Sequence, residues 1–142
     1  MILFALAISV LAQTSAVPQA SGVVYIYAPK IAWHFGKVSD TFLLDDKAVA
    51  NLGTEKFLKI TLEPGRYKIQ PSGKKQGGVL LNVKAGEKYF LRLERDVGTV
   101  IRTKGLIIVP VENASFDLAT LKTVDKKEIK DSRVTSNKED LP

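Results

Sequence analysis

Through the middle of the chain, apolar and polar residues alternate with a period of two, and turn residues cut the alternation at short intervals. Phe57-Leu58-Lys59-Ile60-Thr61-Leu62 stops at Glu63-Pro64-Gly65, and Tyr67-Lys68-Ile69-Gln70 stops at Pro71-Ser72-Gly73. Val79-Leu80-Leu81-Asn82-Val83 stops at Ala85-Gly86, before Tyr89-Phe90-Leu91-Arg92-Leu93. Segments of this length and period are strands that bury one face. The register places Leu58, Ile60 and Leu62 toward a core, with Phe57, Lys59 and Thr61 on the other side. Tyr89, Leu91 and Leu93 likewise share one face.

Val23-Val24-Tyr25-Ile26-Tyr27 is apolar on both faces, which predicts a strand in the middle of a sheet. Thr41 to Leu44 and Ala48 to Leu52 form two further strands. Asp45-Asp46-Lys47 is the turn between them, because Asp tolerates the left-handed backbone of a tight hairpin. Pro64 and Gly65 fit the central positions of a type II turn. Lys74 to Gly78 reads as a flexible basic hairpin tip, and Thr99 to Val111 as a long strand ended or edged by Pro110. The period then changes. Ser115 to Leu121 suits a short helix with Phe116, Ala119 and Leu118 inward and Asn113 or Ser115 as its cap. Asp131 to Pro142 has almost no apolar content and is expected to be disordered. The predicted class is all-β: an antiparallel β-sandwich of about seven or eight short strands, one short C-terminal helix and a disordered tail.

The first dozen residues, Met1 to Ala12, are apolar. That run is shorter than the roughly 20 residues needed to span a bilayer, and it matches the apolar region of a signal peptide. Small residues at Thr14-Ser15-Ala16, or at Ala20, supply a cleavage junction. The expected organisation is a signal peptide over 1–20, a β-sandwich domain over 21–121 and a charged, largely disordered tail over 122–142. A secreted or periplasmic protein follows. The chain of 142 residues contains no cysteine, which excludes disulfides, thiolate metal sites, a cysteine nucleophile and a cysteine-borne lipid anchor. No stable membrane anchor is expected.

The net charge is +6, and residues 21–121 hold 15 basic against 10 acidic groups. The lysines are scattered over many segments, so the excess reads as solubility rather than a nucleic-acid surface. His34 is the only histidine. One histidine without cysteine makes no zinc site of the usual kind, and no nucleophile elbow accompanies it. Asp45 and Asp46 are turn residues rather than paired catalytic carboxylates, and calcium-loop spacing is absent. Gly73-Lys74-Lys75-Gln76-Gly77-Gly78 lacks the order of a phosphate loop. Asn113-Ala114-Ser115 matches the N-glycosylation pattern, which has meaning only in a eukaryotic source.

These exclusions predict a protein with no catalytic residues, no metal and no cofactor. Trp33, His34 and Phe35 are the candidate ligand contacts, because aromatic faces stack on sugar rings or anchor a partner. The same trio would also serve as an apolar plug. Tyr25 and Tyr89 join them as candidate lining of an open mouth. The expected role is a non-catalytic binding or structural module with a protein, polysaccharide or lipid-like partner. The alternative is a carrier holding a small apolar or lipid-like ligand between the sheets.

Four signals occur in a recognisable order: Val24-Tyr25-Ile26-Tyr27, Leu44-Asp45-Asp46-Lys47, Pro64-Gly65-Arg66-Tyr67 and Ala85-Gly86-Glu87-Lys88-Tyr89-Phe90-Leu91-Arg92. Over residues 22–121 the chain resembles a family of small exported domains of unknown function found in bacterial lipoproteins and envelope proteins. That family is similar to PEGA-type and carboxypeptidase-regulatory-like β-sandwiches. The resemblance implies a β-sandwich in an envelope setting and brings no catalytic residues. Asp46 stands where the family usually has Gly, and no lipid-accepting Cys follows the apolar run.

Overall fold

The computed structural model describes residues 20–31, 38–73, 77–97 and 101–142. The expected signal peptide, apart from Ala20, the Trp33-His34-Phe35 cluster and the hairpin tip at Lys74-Lys75-Gln76 lie outside them. The strands are β1 (Gly22–Tyr27), β2 (Ser39–Leu44), β3 (Lys47–Gly53), β4 (Lys56–Leu62), β5 (Gly65–Pro71), β6 (Val79–Val83), β7 (Lys88–Val97) and β8 (Ile101–Ile108). Helix α1 (Val111–Leu118) follows, and then two short strands, β9 (Lys122–Thr123) and β10 (Val134–Thr135).

Two sheets share these strands. One has the order β10-β4-β1-β7-β8, with β9 also against β4; the other has the order β3-β2-β5-β6. The expectation of a purely antiparallel sandwich of seven or eight strands is corrected on both counts. Ten strands occur among the described residues, β1 pairs with β7 in parallel and β4 pairs with β9 in parallel. The parallel β1–β7 pair has a topological cause. The chain leaves the first sheet after β1, returns as β4, crosses again to make β5 and β6, and comes back as β7 on the free side of β1.

The period-2 reading of β4 holds: Leu58, Ile60 and Leu62 are buried between the sheets. They meet Val24, Ile26, Leu91 and Leu93 of their own sheet and Phe42, Leu52, Ile69 and Leu81 of the other. The outer face of the first sheet is also covered. Tyr25, Tyr27, Phe57 and Phe90 lie under Ala114 and Leu118 of α1, with Val109 and Leu121. The Tyr25 and Phe90 rings stack with centroids 5.1 Å apart. Burial on two faces explains the continuous apolar run of β1, which stands at the centre of its sheet. Each such side chain contributes about 1.5–3 kcal/mol when fully buried.

The β2–β3 hairpin forms where expected, with positive φ at both Asp45 (47°) and Asp46 (67°), as a tight two-residue turn requires. Asp45 adds a function of its own, since its carboxylate accepts the Lys68 backbone N–H at 2.8 Å. The type II turn at Pro64-Gly65 does not form: Gly65 opens β5 and is not among the positive-φ glycines. Strands β4 and β5 belong to different sheets, so the link crosses between layers rather than reversing a hairpin.

Two other expectations are overturned. Helix α1 begins at Val111 behind Pro110, so neither Asn113 nor Ser115 caps it. Its buried face is Ala114 and Leu118, leaving Phe116 82% exposed and Ala119 outward. Two residues from both Ala114 and Leu118, Phe116 falls on the opposite side of the helix from that face. Residues 122–142, expected to be disordered, are part of the fold. Strand β9 lies beside Lys56 and Phe57, and β10 beside Lys59 and Ile60. Val124 and Val134 enter the core between the sheets, and Leu141 packs on the outer cluster. Ser136 pins the segment by donating to the Phe57 carbonyl at 2.6 Å and accepting the Val124 N–H at 2.7 Å.

Candidate functional site

Where the two sheets meet along β3 and β4, a cleft of about 560 Å³ opens to solvent. Its first wall is the end of β3 (Asn51, Gly53) and the turn Thr54-Glu55. That turn is tight: Glu55 has φ 62°, and the Thr54 N–H donates to the Val38 carbonyl at 3.1 Å. Ile31 and Val38, with Lys30 and Ser39, form a second side. The third comes from the C-terminal segment, through Val124, Asp125, Lys127 and Glu128.

The Thr54 corner is tied to the opposite sheet. Arg95 of β7 donates from Nη1 to the Thr54 hydroxyl at 3.1 Å and from Nη2 to Asp40 Oδ2 of β2 at 2.7 Å. The Thr103 hydroxyl of β8 donates to Asp40 at 2.9 Å. The Arg95 side chain is 4% exposed, and its Nε is buried without a hydrogen-bond partner among the described residues. A buried guanidinium of this kind needs its carboxylate, so the pair fixes the two sheets against each other beside the cleft.

Charge in the cleft is divided between paired and unpaired groups. Glu55 faces Lys30 at 3.5 Å and Lys122 at 3.9 Å, both exposed lysines, so these contacts are weak. Asn51 donates from Nδ2 to Glu128 Oε2 at 2.8 Å and accepts the Thr41 hydroxyl at 2.7 Å, which joins the C-terminal wall to β3. Lys56, Lys127 and Asp125 also line the cleft and make no ion pair among the described residues.

The candidate contacts from the sequence are not gathered here. Trp33, His34 and Phe35 lie outside the described residues, although Ile31 and Val38 on either side line the cleft. Tyr25 belongs to the outer cluster, and its hydroxyl donates to the Asp140 carbonyl at 2.5 Å. Burial, and then the Asp140 carboxylate, raise its pKa above the ordinary phenol value. Tyr89 packs toward the core between the sheets. Its hydroxyl accepts the Lys84 N–H at 2.9 Å and lies 3.0 Å from the Asn82 carbonyl and 2.9 Å from Glu87 Oε2, closing the β6–β7 turn. Tyr25 and Tyr89 therefore stand on opposite faces of one sheet, each held by a structural hydrogen bond.

Sequence reasoning missed Asn51, Lys56, Asp125 and Lys127. Only the Gly53-Thr54-Glu55 turn carried a local signal, and the third wall came from a segment read as disordered. A second polar group lies under α1. Tyr27 donates to Asp117 Oδ2 at 2.7 Å, and Arg92 bonds Glu94 at 2.8 Å and approaches Asp117 at 3.7 Å. Burial, and next the Asp117 hydrogen bond, raise the Tyr27 pKa well above the ordinary phenol value, so the phenol stays neutral and acts as a tie between helix and sheet.

No group of three or more His, Cys, Asp or Glu side chains comes together for a metal among the described residues, and no helix among them is long and apolar enough to cross a membrane. No family model, curated protein or solved structure matches the chain.

Proposed function

We propose that this chain is an exported, non-catalytic β-sandwich that serves as a binding or structural module of the cell envelope or extracellular space, with the cleft along β3 and β4 as its binding site. One observation carries this reading: an apolar cluster packs between the sheets, while a solvent-open cleft lined by polar, charged and apolar residues lies at the outer seam. A cleft of this size is within the range used for small ligands or short segments. The polar groups around it act by charge and hydrogen bonding beside the apolar Ile31, Val38 and Val124, and the strongest ion pair nearby, Asp40 with Arg95, is committed to joining the sheets. Polysaccharide and protein partners are both compatible with a solvent-open seam.

The carrier reading has less support, because packed apolar side chains of both sheets meet between them and Tyr25 and Tyr89 do not share a mouth. The test is purification from the native envelope or culture medium, followed by intact-mass spectrometry under non-denaturing conditions. The expected result is a mature chain starting near Val17 or Ser21. An intact Met1 on cytosolic material would contradict export, and a bound acyl-chain ligand would favour the carrier.

A further inference from the structure

We propose that the cleft takes an extended peptide segment carrying charges of both signs. The inference rests on the binding-module reading and assigns its partner. The first reason is the edge of β3. The C-terminal segment pairs with that edge in antiparallel sense at Ala50 and Ile129, with the Lys130 N–H donating to the Val49 carbonyl at 2.8 Å. In chain order it reaches that edge out of a 3-10 turn at Lys126–Glu128, with Glu128 bonded to the Asn51 side chain. Asn51 and Gly53, ahead of the Ala50–Ile129 pair, line the cleft. The cleft thus lies along the part of the β3 edge that the tail has not yet joined as strand, and strand addition uses such edges.

The second reason is Gly53. An ideal Cβ there would meet Lys56 Cγ at 3.6 Å and the Val38 oxygen at 3.8 Å, which is ordinary contact. Its missing side chain is not forced by crowding, and it leaves the wall open to an approaching backbone. The third reason is charge. Lys56 and Lys127 offer two ammonium groups and Asp125 one carboxylate, with Ile31, Val38 and Val124 as apolar surface. A neutral sugar answers none of the three charges, and a fatty acid supplies only the negative sign. A peptide with acidic and basic side chains answers both signs.

The test is a titration of the full chain followed by amide NMR shifts. The probe is acetyl-Lys-Val-Glu-Val-amide; the comparison probes are its analogue with Gln at both charged positions, laurate and tri-N-acetylglucosamine. Saturable shifts at Asn51, Gly53, Thr54 and Val124 are expected for the charged peptide, with the Gln analogue about tenfold weaker. Gly53→Phe should abolish the shifts at unchanged melting temperature. Lys56→Gln with Lys127→Gln should bring the charged peptide down to its analogue. Equal affinity for the two peptides would overturn the charge assignment. Shifts from laurate or the trisaccharide alone would overturn the peptide assignment and leave the binding module standing. A folded protein that answers no probe would overturn the assignment too, without touching the evidence for export.

Discussion

Gly105 has little room for change. Its φ is 153°, and an added Cβ would lie 2.5 Å from the Gly77 Cα. Gly77 in turn lies against the Lys104 carbonyl, which a Cβ would meet at 2.6 Å. Here β8 carries its irregularity opposite Glu94 and Arg95, and the β5–β6 connection closes on it, backbone to backbone. Gly105→Ala should cost about 2–3 kcal/mol from strain and overpacking together, read from urea midpoints. Asp131 gives a residue-scale test with a pH signature. The Arg133 side-chain hydrogen bonds hold its carboxyl at about 2, below its ordinary 3.8. A depressed folded-state value stabilises the protein above the unfolded value and loses that contribution as pH falls toward the folded one. Asp131→Asn should cost about 1 kcal/mol at pH 7, discounted because Arg133 is well exposed, and the gap should close between pH 4 and pH 2. Turn chemistry at this scale was legible where the residues dictate the backbone, as at Asp45-Asp46. It misled at Pro64-Gly65, because the residue pair does not say whether the next strand stays in the same sheet.

Among the elements, β4 and β6 were readable because they bury a face with period two, and β1 because it buries both faces without alternation; β5 and β8 were readable from their β-prone composition between turn residues. The C-terminal segment was not. Its buried Val124 and Val134 and half-buried Ile129 and Leu141 recur at no helix or strand period. Each fills one notch, and the rest of the attachment is backbone pairing and the hydroxyl of Ser136. Composition alone therefore marks as disordered a strap that has structure. Ser136→Ala removes the donor to the Phe57 carbonyl and leaves the buried Val124 N–H unsatisfied, a loss of about 2 kcal/mol. The check is thermal denaturation together with exchange of the Val124 amide. If Ser136→Ala were neutral in both, the strap would not be pinned there. Helix α1 was found with Leu118 inward as expected but with Phe116 and Ala119 wrongly so, for a related reason: Pro110 sets its start, and the packing of Ala114 and Leu118 on the aromatic outer face sets its rotation.

For the molecule as a whole, the architecture depends on two sheets sharing one core, and the Asp40–Arg95 pair crosses between them. Removing one partner strands a buried charge, so Asp40→Ala should cost about 3 kcal/mol, whereas Asp40→Leu with Arg95→Met should recover most of it. A double-mutant cycle by chemical denaturation measures the coupling; additive costs would mean that the pair does not join the layers. The cleft beside this pair was only faintly legible. Its walls come from residues around Ile31 and Val38, from the end of β3 with its turn, and from the terminal strap, three stretches separated in sequence that carry no motif. The strap is what turns an open seam into a cleft, so its order in solution is decisive. Amide hydrogen exchange on the full chain measures it directly. The Val124, Lys130 and Val134 amides should exchange as slowly as the Val23 amide of β1, which is bonded to the Glu87 carbonyl at 3.0 Å, a bond in which the strap takes no part. Exchange of all three at random-coil rates, with β1 and β7 still protected, would contradict the structure of the site.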